Sequence, residues 1–339
     1  MVYVHVPFCR SFCIYCDFYS EIAPSGSDFG LFVDVVCREI ESRKEEIERS
    51  SGVNTLYFGG GTPSVLGVPD IARIASAVSD KPFREFTVEV NPEDVVVKGP
   101  EYVEGLLEAG VNRISMGVQS LDDGVLKWMG RRHDSACARE AFRILRDAGC
   151  DNISLDLIFG IGGMSELSLS VTLDEIIAMR PEHISAYQLS LEDGSLLEEM
   201  LEEGRYEEAP EENCAGQYGH ICEVLRNAGY RHYEISNWAL PGREAVHNSA
   251  YWSREPYVGV GPGAHSLMKW PDGRQERSWN DAKLSGWASS GEVLTPAQIR
   301  EETIMLGLRR EEGVEIDGVR RKIKESDWFV SDSIISGLL

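Results

Sequence analysis

Three cysteines within eight residues, Cys9-Arg-Ser-Phe-Cys13-Ile-Tyr-Cys16, are the most chemically specific feature of this chain. Soft thiolates at C-x3-C-x2-C spacing can wrap three corners of a cubane [4Fe–4S] cluster and leave the fourth iron without a protein ligand. An open iron of that kind can bind the amino and carboxylate groups of S-adenosylmethionine (SAM) and pass an electron into its sulfonium bond. The alternative is a structural zinc site, but zinc usually takes four ligands from paired elements, and no second pair follows at a suitable distance. Cys214, His220 and Cys222 are close in sequence but share one predicted helix.

The remaining cysteines are scattered through 339 residues, which is not a disulfide framework. Met1 leads directly into a strand-like segment with the cysteines behind it, no signal peptide is visible, and no apolar run is long enough for a membrane span. The expectation is a cytoplasmic, reduced protein whose thiolates are reserved for metal. A net charge of −23, with 56 acidic against 33 basic residues, argues against nucleic acid as a partner. The same field opposes charge-driven binding to an anionic membrane.

The elements that must position the cysteines alternate between β and α. Strand-like runs occur at 2–6, 55–58, 85–90, 113–118, 153–159 and 183–189, with amphipathic helical stretches at 29–49, 69–79, 101–109, 134–148, 165–179 and 210–228. Alternation of this kind predicts a parallel sheet in an α/β fold, here a partial (β/α)6 barrel. Barrel chemistry collects at the C-terminal ends of strands, and the distinctive residues fall there one strand after another. After Trp238-Ala-Leu-Pro-Gly242 the character changes, which predicts a core over 1–240 and a smaller, α-rich domain over 241–339, with a helix over 295–309.

Tyr3-Val-His-Val-Pro-Phe-Cys9 through Cys16-Asp-Phe18 resembles the start of the oxygen-independent coproporphyrinogen III oxidase-like radical SAM family. The resemblance continues in order through Phe58-Gly-Gly-Gly-Thr-Pro-Ser64, Glu89-Val-Asn-Pro92, Gly117-Val-Gln-Ser120, Asp156-Leu-Ile-Phe-Gly160 and Gly259-Val-Gly-Pro-Gly-Ala-His-Ser266. True oxidases of the family carry a fourth cysteine two residues after the third, and a long N-terminal extension. Here Phe18 stands at that position and eight residues precede Cys9. Both departures point to the HemW-type branch, which looks like a group of heme chaperones and carries an H-N-x-x-Y-W signature, present here as His247-Asn-Ser-Ala-Tyr251-Trp252.

The resemblance implies a radical SAM barrel and a set of SAM contacts. Tyr3 on the first strand is expected to touch SAM, or else to be a barrel-lining aromatic. Tyr15 is expected at the adenine end, or as a shield over the cluster. Gly60, Gly61 and Thr62, after Gly59, resemble the loop that holds the methionine amino group, where glycine lets backbone approach a ligand. Glu89, Gln119, Arg131 and Asp156 supply the polar contacts, with Arg132 an alternative to Arg131 and Ser190 a further backbone contact. His247 is the expected heme ligand, with Tyr251 and Trp252 stacking on the porphyrin; the alternative is a structural histidine at a domain seam. His265 is a second candidate heme ligand, and His5 would orient or cover the cluster. The family's winged-helix-like end looks shortened here, with 329–339 resembling its final helix.

The function implied is binding of a [4Fe–4S] cluster, SAM and heme, and delivery of heme to a client protein. An electron donor is needed where SAM is reduced, and a membrane-associated client would imply transient membrane contact. The alternative is an enzyme that uses SAM to oxidise coproporphyrinogen III, or other radical chemistry on a small molecule.

Overall fold

The computed structural model describes residues 1–23 and 26–338. Its core is one nine-stranded sheet. The strands are β1 (Val2–Val6), β2 (Thr55–Gly60), β3 (Glu85–Val90), β4 (Arg113–Gln119), β5 (Ile153–Phe159), β6 (His183–Gln188), β7 (Arg231–Glu234), β8 (Asn237–Ala239) and β9 (Val258–Val260). Their order is β9-β1-β2-β3-β4-β5-β6-β8-β7. From β9 to β6 all neighbours are parallel, and β8 and β7 finish the edge antiparallel. Between the parallel strands run the helices α1 (Gly30–Ser42), α2 (Val68–Val78), α3 (Pro92–Glu108), α4 (Ser135–Asp147) and α5 (Glu166–Met179), and α6 (Glu211–Asn227) follows β6.

The two faces of this sheet differ. Val4, Phe58, Val88, Ile114 and Ile153 pair in register across five strands and are fully buried. Val90, Met116, Leu155, Ile184 and Trp238 form a second such row. The other face is polar. Its rows are Tyr3, Tyr57, Thr87 and Arg113; then Glu89, Ser115, Ser154 and His183; then Gly117, Asp156, Ser185 and Asn237. Parallel strands bury both faces, so the polar rows are enclosed and must find partners among themselves. Residues from β2 through β6 line one cavity, so the sheet curves around them.

The chain after residue 240 first returns to the large sheet. The helix α7 (Val246–Trp252) packs on β2, and β9 then joins the free edge of β1. Glu85, the first residue of β3, takes the first helical N–H groups of α7, with 2.7 Å to Val246 and 2.8 Å to His247. Beyond β9 the chain is mixed rather than α-rich. It forms a three-stranded antiparallel sheet (His265–Lys269, Gln275–Asn280, Ser289–Val293), the helix α8 (Pro296–Gly307) with a complete capping box at Thr295, and a two-stranded ribbon (Val314–Ile316, Val319–Arg321). Glu39 of α1 fastens this part by accepting bonds from Gly261, Asn280 and Trp287.

Other differences have local causes. The stretch 29–49 breaks into two helices at Arg43. The stretch around 101–109 extends back to Pro92, with a break at Gly99, whose φ of 74° precedes Pro100. The expected last helix over 329–339 is a 3-10 turn, Glu325–Val330, followed by Ser331–Ser336; Leu339 lies outside the described residues. Among the described residues no helix is long and apolar enough to cross a membrane.

Replacing Glu85 with Ala strands two backbone donors and removes one of the favourable charges around the buried Arg113 guanidinium. Unfolding in urea is expected to show a loss of about 2–4 kcal/mol, and Glu85→Gln should recover part of it; unchanged stability in Glu85→Ala would contradict this account of α7.

Candidate functional site

The cysteines lie on a loop closed at its neck. Phe8–Cys9 pairs in parallel with Glu21–Ile22, and Ala23 N–H donates to the Cys9 carbonyl at 2.8 Å. The loop is also tied sideways, by Ile14 N–H to Met129 O and Leu197 N–H to Ile14 O. His5 sits beneath it. Its Nε2 meets the Tyr19 carbonyl at 2.8 Å and its Nδ1 meets the Tyr3 hydroxyl at 3.1 Å. All three thiols are free and line a cavity of about 490 Å³ at the C-terminal ends of the parallel strands.

The cavity's polar groups come from the inner rows of the sheet. Glu89 accepts a hydrogen bond from Tyr57 at 2.7 Å, and burial pushes its carboxyl up to about 7. Asp156 is also raised by burial, although Ser115 and Ser154 donate to it at 3.1 and 3.3 Å. Arg113 lies between them, buried. Desolvation is the largest single influence and opposes its charge, but Glu85, Tyr57, Tyr233 and Asp156 together outweigh it and hold the guanidinium above its ordinary range.

Above this base, Arg131 gives one N–H to Cys13 Sγ at 3.4 Å and another to the Gly117 carbonyl at 2.6 Å. Thr62 Oγ1 is 3.4 Å from Cys9 Sγ. Gly60 has φ 108° over the His5 ring, and a Cβ on Gly61 would come within 2.8 Å of the Phe8 carbonyl. This loop therefore tolerates only glycine where it meets the cysteine loop. Gln119 ends β4 with φ 66°, after a register shift at Gly117. Gln119 Oε1 and Arg131 Nε are buried without a partner.

These observations fit an iron–sulfur cluster with a polar small molecule beside it. Three thiols without disulfides face one space, a cation and a hydroxyl reach two of the sulfurs, and polar atoms of the lining residues are left to be satisfied. Tyr15, Gly60, Gly61, Thr62, Glu89, Gln119, Arg131, Asp156 and Ser190 all line the cavity. Both paired arginines line the cavity, but Arg132 is paired with Glu93 and Asp94 at 2.7 and 2.9 Å, whereas Arg131 faces Cys13.

Several expected site residues lie elsewhere. Tyr3 is not in the cavity wall; it buttresses His5 and the glycine loop from below. His247 is 1% exposed, and both its ring nitrogens are engaged, by Thr55 Oγ1 at 2.9 Å and the Tyr251 hydroxyl at 3.2 Å. This enclosure matches the alternative of a structural histidine at a seam, one that ties α7 to the start of β2. Tyr251 packs edge-on against Tyr257 at 4.6 Å, and Trp252 lies under Arg309, so neither presents a free face to a porphyrin. His265 stacks on Trp279, and its glycine-rich loop is pressed against His5.

Arg113, Asn248, Tyr57, Ser185 and Tyr187 line the cavity and were not anticipated. For the four on strands the signal was present in the sequence: polar residues at every second position of strands that should be apolar throughout, as in Arg113-Ile-Ser-Met-Gly117.

Comparison with known proteins agrees with this geometry. The Radical SAM superfamily model matches residues 3–176. The heme chaperone HemW of Lactococcus lactis is 32% identical over 329 residues, which cover 95% of this chain and 84% of that protein. This is a radical SAM protein of the HemW family. The HemW of Synechocystis is 34% identical, over 92% of this chain and 78% of its own. The structure of coproporphyrinogen III oxidase (HemN) from Escherichia coli matches with a TM-score of 0.73, over 92% of this chain and 75% of that one, at 18% identity, which is a likeness of fold. Membership in the radical SAM superfamily implies a [4Fe–4S] cluster and SAM.

For this radical SAM protein, two expectations about SAM follow. With cluster content matched, Arg131→Met should weaken SAM binding in equilibrium dialysis about 10–100-fold. Arg132→Met should leave it nearly unchanged; equal losses in both would refute the assignment. A Glu89 carboxyl raised to about 7 accepts most strongly from the SAM amino group when ionised. SAM affinity should therefore rise with pH up to about 7, by at most about tenfold per unit, and level off above it. Glu89→Gln should flatten this profile; a wild-type profile that is itself flat would show that Glu89 does not meet the amino group.

Proposed function

We propose that this protein carries heme to a client protein, using the three-cysteine loop for a [4Fe–4S] cluster and the adjoining cavity for SAM. The observation that carries the reading is its identity of 32–34% with two heme chaperones along nearly its whole length. Phe18 in place of a fourth cysteine supports it.

When bound, the cluster supplies an open iron for SAM and an electron for its sulfonium. The residues of this chain then have separate tasks. Cys9, Cys13 and Cys16 hold iron. Arg131 balances charge at Cys13 and offers its remaining N–H to a carboxylate. Glu89 accepts from the N–H of the methionine amino group, Gln119 supplies a free amide oxygen, and Asp156 accepts from ribose hydroxyls. Gly60, Gly61 and Thr62 bring backbone close to the methionine end, and Tyr15 covers the adenine side.

With His247 enclosed, the heme-contacting surface in this reading is the cavity mouth. Phe12 and Phe18 are 56% and 64% exposed there and offer apolar faces to a porphyrin. Client identity and any membrane contact follow from whichever protein receives the heme.

An anaerobic hemin titration of cluster-loaded protein, followed by absorption, tests this. Saturable binding is expected. The double variant Phe12→Ser/Phe18→Ser should bind about tenfold or more weakly, whereas folded His247→Gln should keep the wild-type spectrum. Failure of cluster-loaded wild type to bind hemin would return the protein to the enzyme class.

A further inference from the structure

Away from the cavity, at the β7 edge of the sheet, three ligand-type side chains meet from three elements. They are Cys222 on α6, His232 on β7 and Glu325 at the start of the C-terminal 3-10 turn, and their ligand atoms lie within 4.8 Å of one another. Cys222 Sγ is 3.8 Å from His232 Nδ1, and that nitrogen is 3.0 Å from Glu325 Oε1. The imidazole cannot turn, because it stacks on Trp238 at 4.0 Å and meets the edge of Trp328 at 4.3 Å.

A proton count on this ring exposes a conflict. Nε2 faces the Ile235 carbonyl at 3.3 Å, which only accepts. The nearby Tyr218 hydroxyl, 3.5 Å away, gives its own proton to the same carbonyl at 2.8 Å. A neutral imidazole has one proton for two acceptors, this carbonyl and Glu325, so in either tautomer one nitrogen meets an acceptor with its lone pair. With the proton on Nε2, Nδ1 turns its lone pair toward a carboxylate oxygen at 3.0 Å. A second ring proton would relieve the repulsion, but it would create an imidazolium that is 8% exposed between two tryptophans. The Cys222 thiol is a weak donor at long range. Arg226, one turn along α6, bonds the same Glu325 oxygen at 2.8 Å and orients the carboxylate without reaching the imidazole's lone pair.

We infer that Cys222, His232 and Glu325 bind a divalent transition metal, with zinc the best match to one thiolate, one neutral imidazole and one carboxylate. Water completes the tetrahedron. Zinc bonds of about 2.0–2.3 Å set neighbouring ligand atoms roughly 3.3–3.7 Å apart, a spacing these three reach with small side-chain adjustments. Binding expels the Cys222 proton to solvent. The Nε2–H bond to Ile235 fixes the tautomer, as outer partners of metal-bound histidines do. The consequence is structural: the metal pins the C-terminal turn to α6 and β7, where a partly exposed ion pair, Arg226 with Glu325, otherwise helps hold it.

The test uses full-length protein with its cluster already assembled, so that the cysteine loop is occupied. After equilibration with zinc sulfate and desalting, about one zinc per chain should remain. The zinc K-edge X-ray absorption should report one sulfur among nitrogen and oxygen ligands. His232→Gln and Cys222→Ser should each lose the zinc while keeping their iron. Where those variants fail to fold, the wild-type spectrum decides, since a shell of three sulfurs would place the zinc on Cys9, Cys13 and Cys16. That result, the absence of retained zinc, or equal retention by folded His232→Gln would overturn the site.

Discussion

Arg113, Glu89 and Asp156 sit on the inner face of a parallel sheet, where burial penalises every charge. Neighbours offset part of that penalty for each. Glu85, Tyr57, Tyr233 and Asp156 together keep Arg113 a cation, while the serines of β4 and β5 bond Asp156 and Tyr57 bonds Glu89, both of whose carboxyls stay raised. An isolated buried charge is costly, and a connected set of charges and hydroxyls is tolerable. The rest of the structure follows from this arrangement. The outer rows must carry the apolar packing alone, the helices cover that side, and the inner rows are left free to meet a polar ligand.

The cysteine loop is placed by the same frame. It rests on His5 and Tyr3, which belong to the inner row of β1, and it meets a glycine loop that leaves no room for side chains. Its outer flank is tied to the loop after β4, the loop that also carries Arg131 to Cys13. The three cysteines and the polar lining residues thus share one set of supports, and the residues that touch nothing in the cavity are as necessary to its shape as those that line it.

The segment around His247 shows how a sequence signature and a site can part company. His-Asn-Ser-Ala-Tyr-Trp has the residue types of a heme pocket, yet in the folded chain its histidine and tyrosine satisfy each other and Thr55. What reaches the cavity from this helix is Asn248. The motif holds the N-terminal end of β2 against a helix whose first N–H groups are taken by Glu85. Its function in the fold is closure.

The three cavity cysteines as a group, the order of βα units and most of the cavity's polar residues were legible in the sequence. Those signals are local: spacing within a loop, period within an element, and position just after a strand. Even Arg113 was within reach, because alternation inside a parallel strand is itself a sign of a polar interior. The ends of the fold were not legible. That β9 returns to β1, that Arg132 is consumed by Glu93 and Asp94, that His247 is enclosed, and that Cys222 meets His232 and Glu325 all depend on contacts between residues far apart in the chain. Residue type and spacing determine what a side chain is able to bind. Only the packed structure decides which of its partners arrives first, because hydrogen bonds and ion pairs are awarded by distance in space.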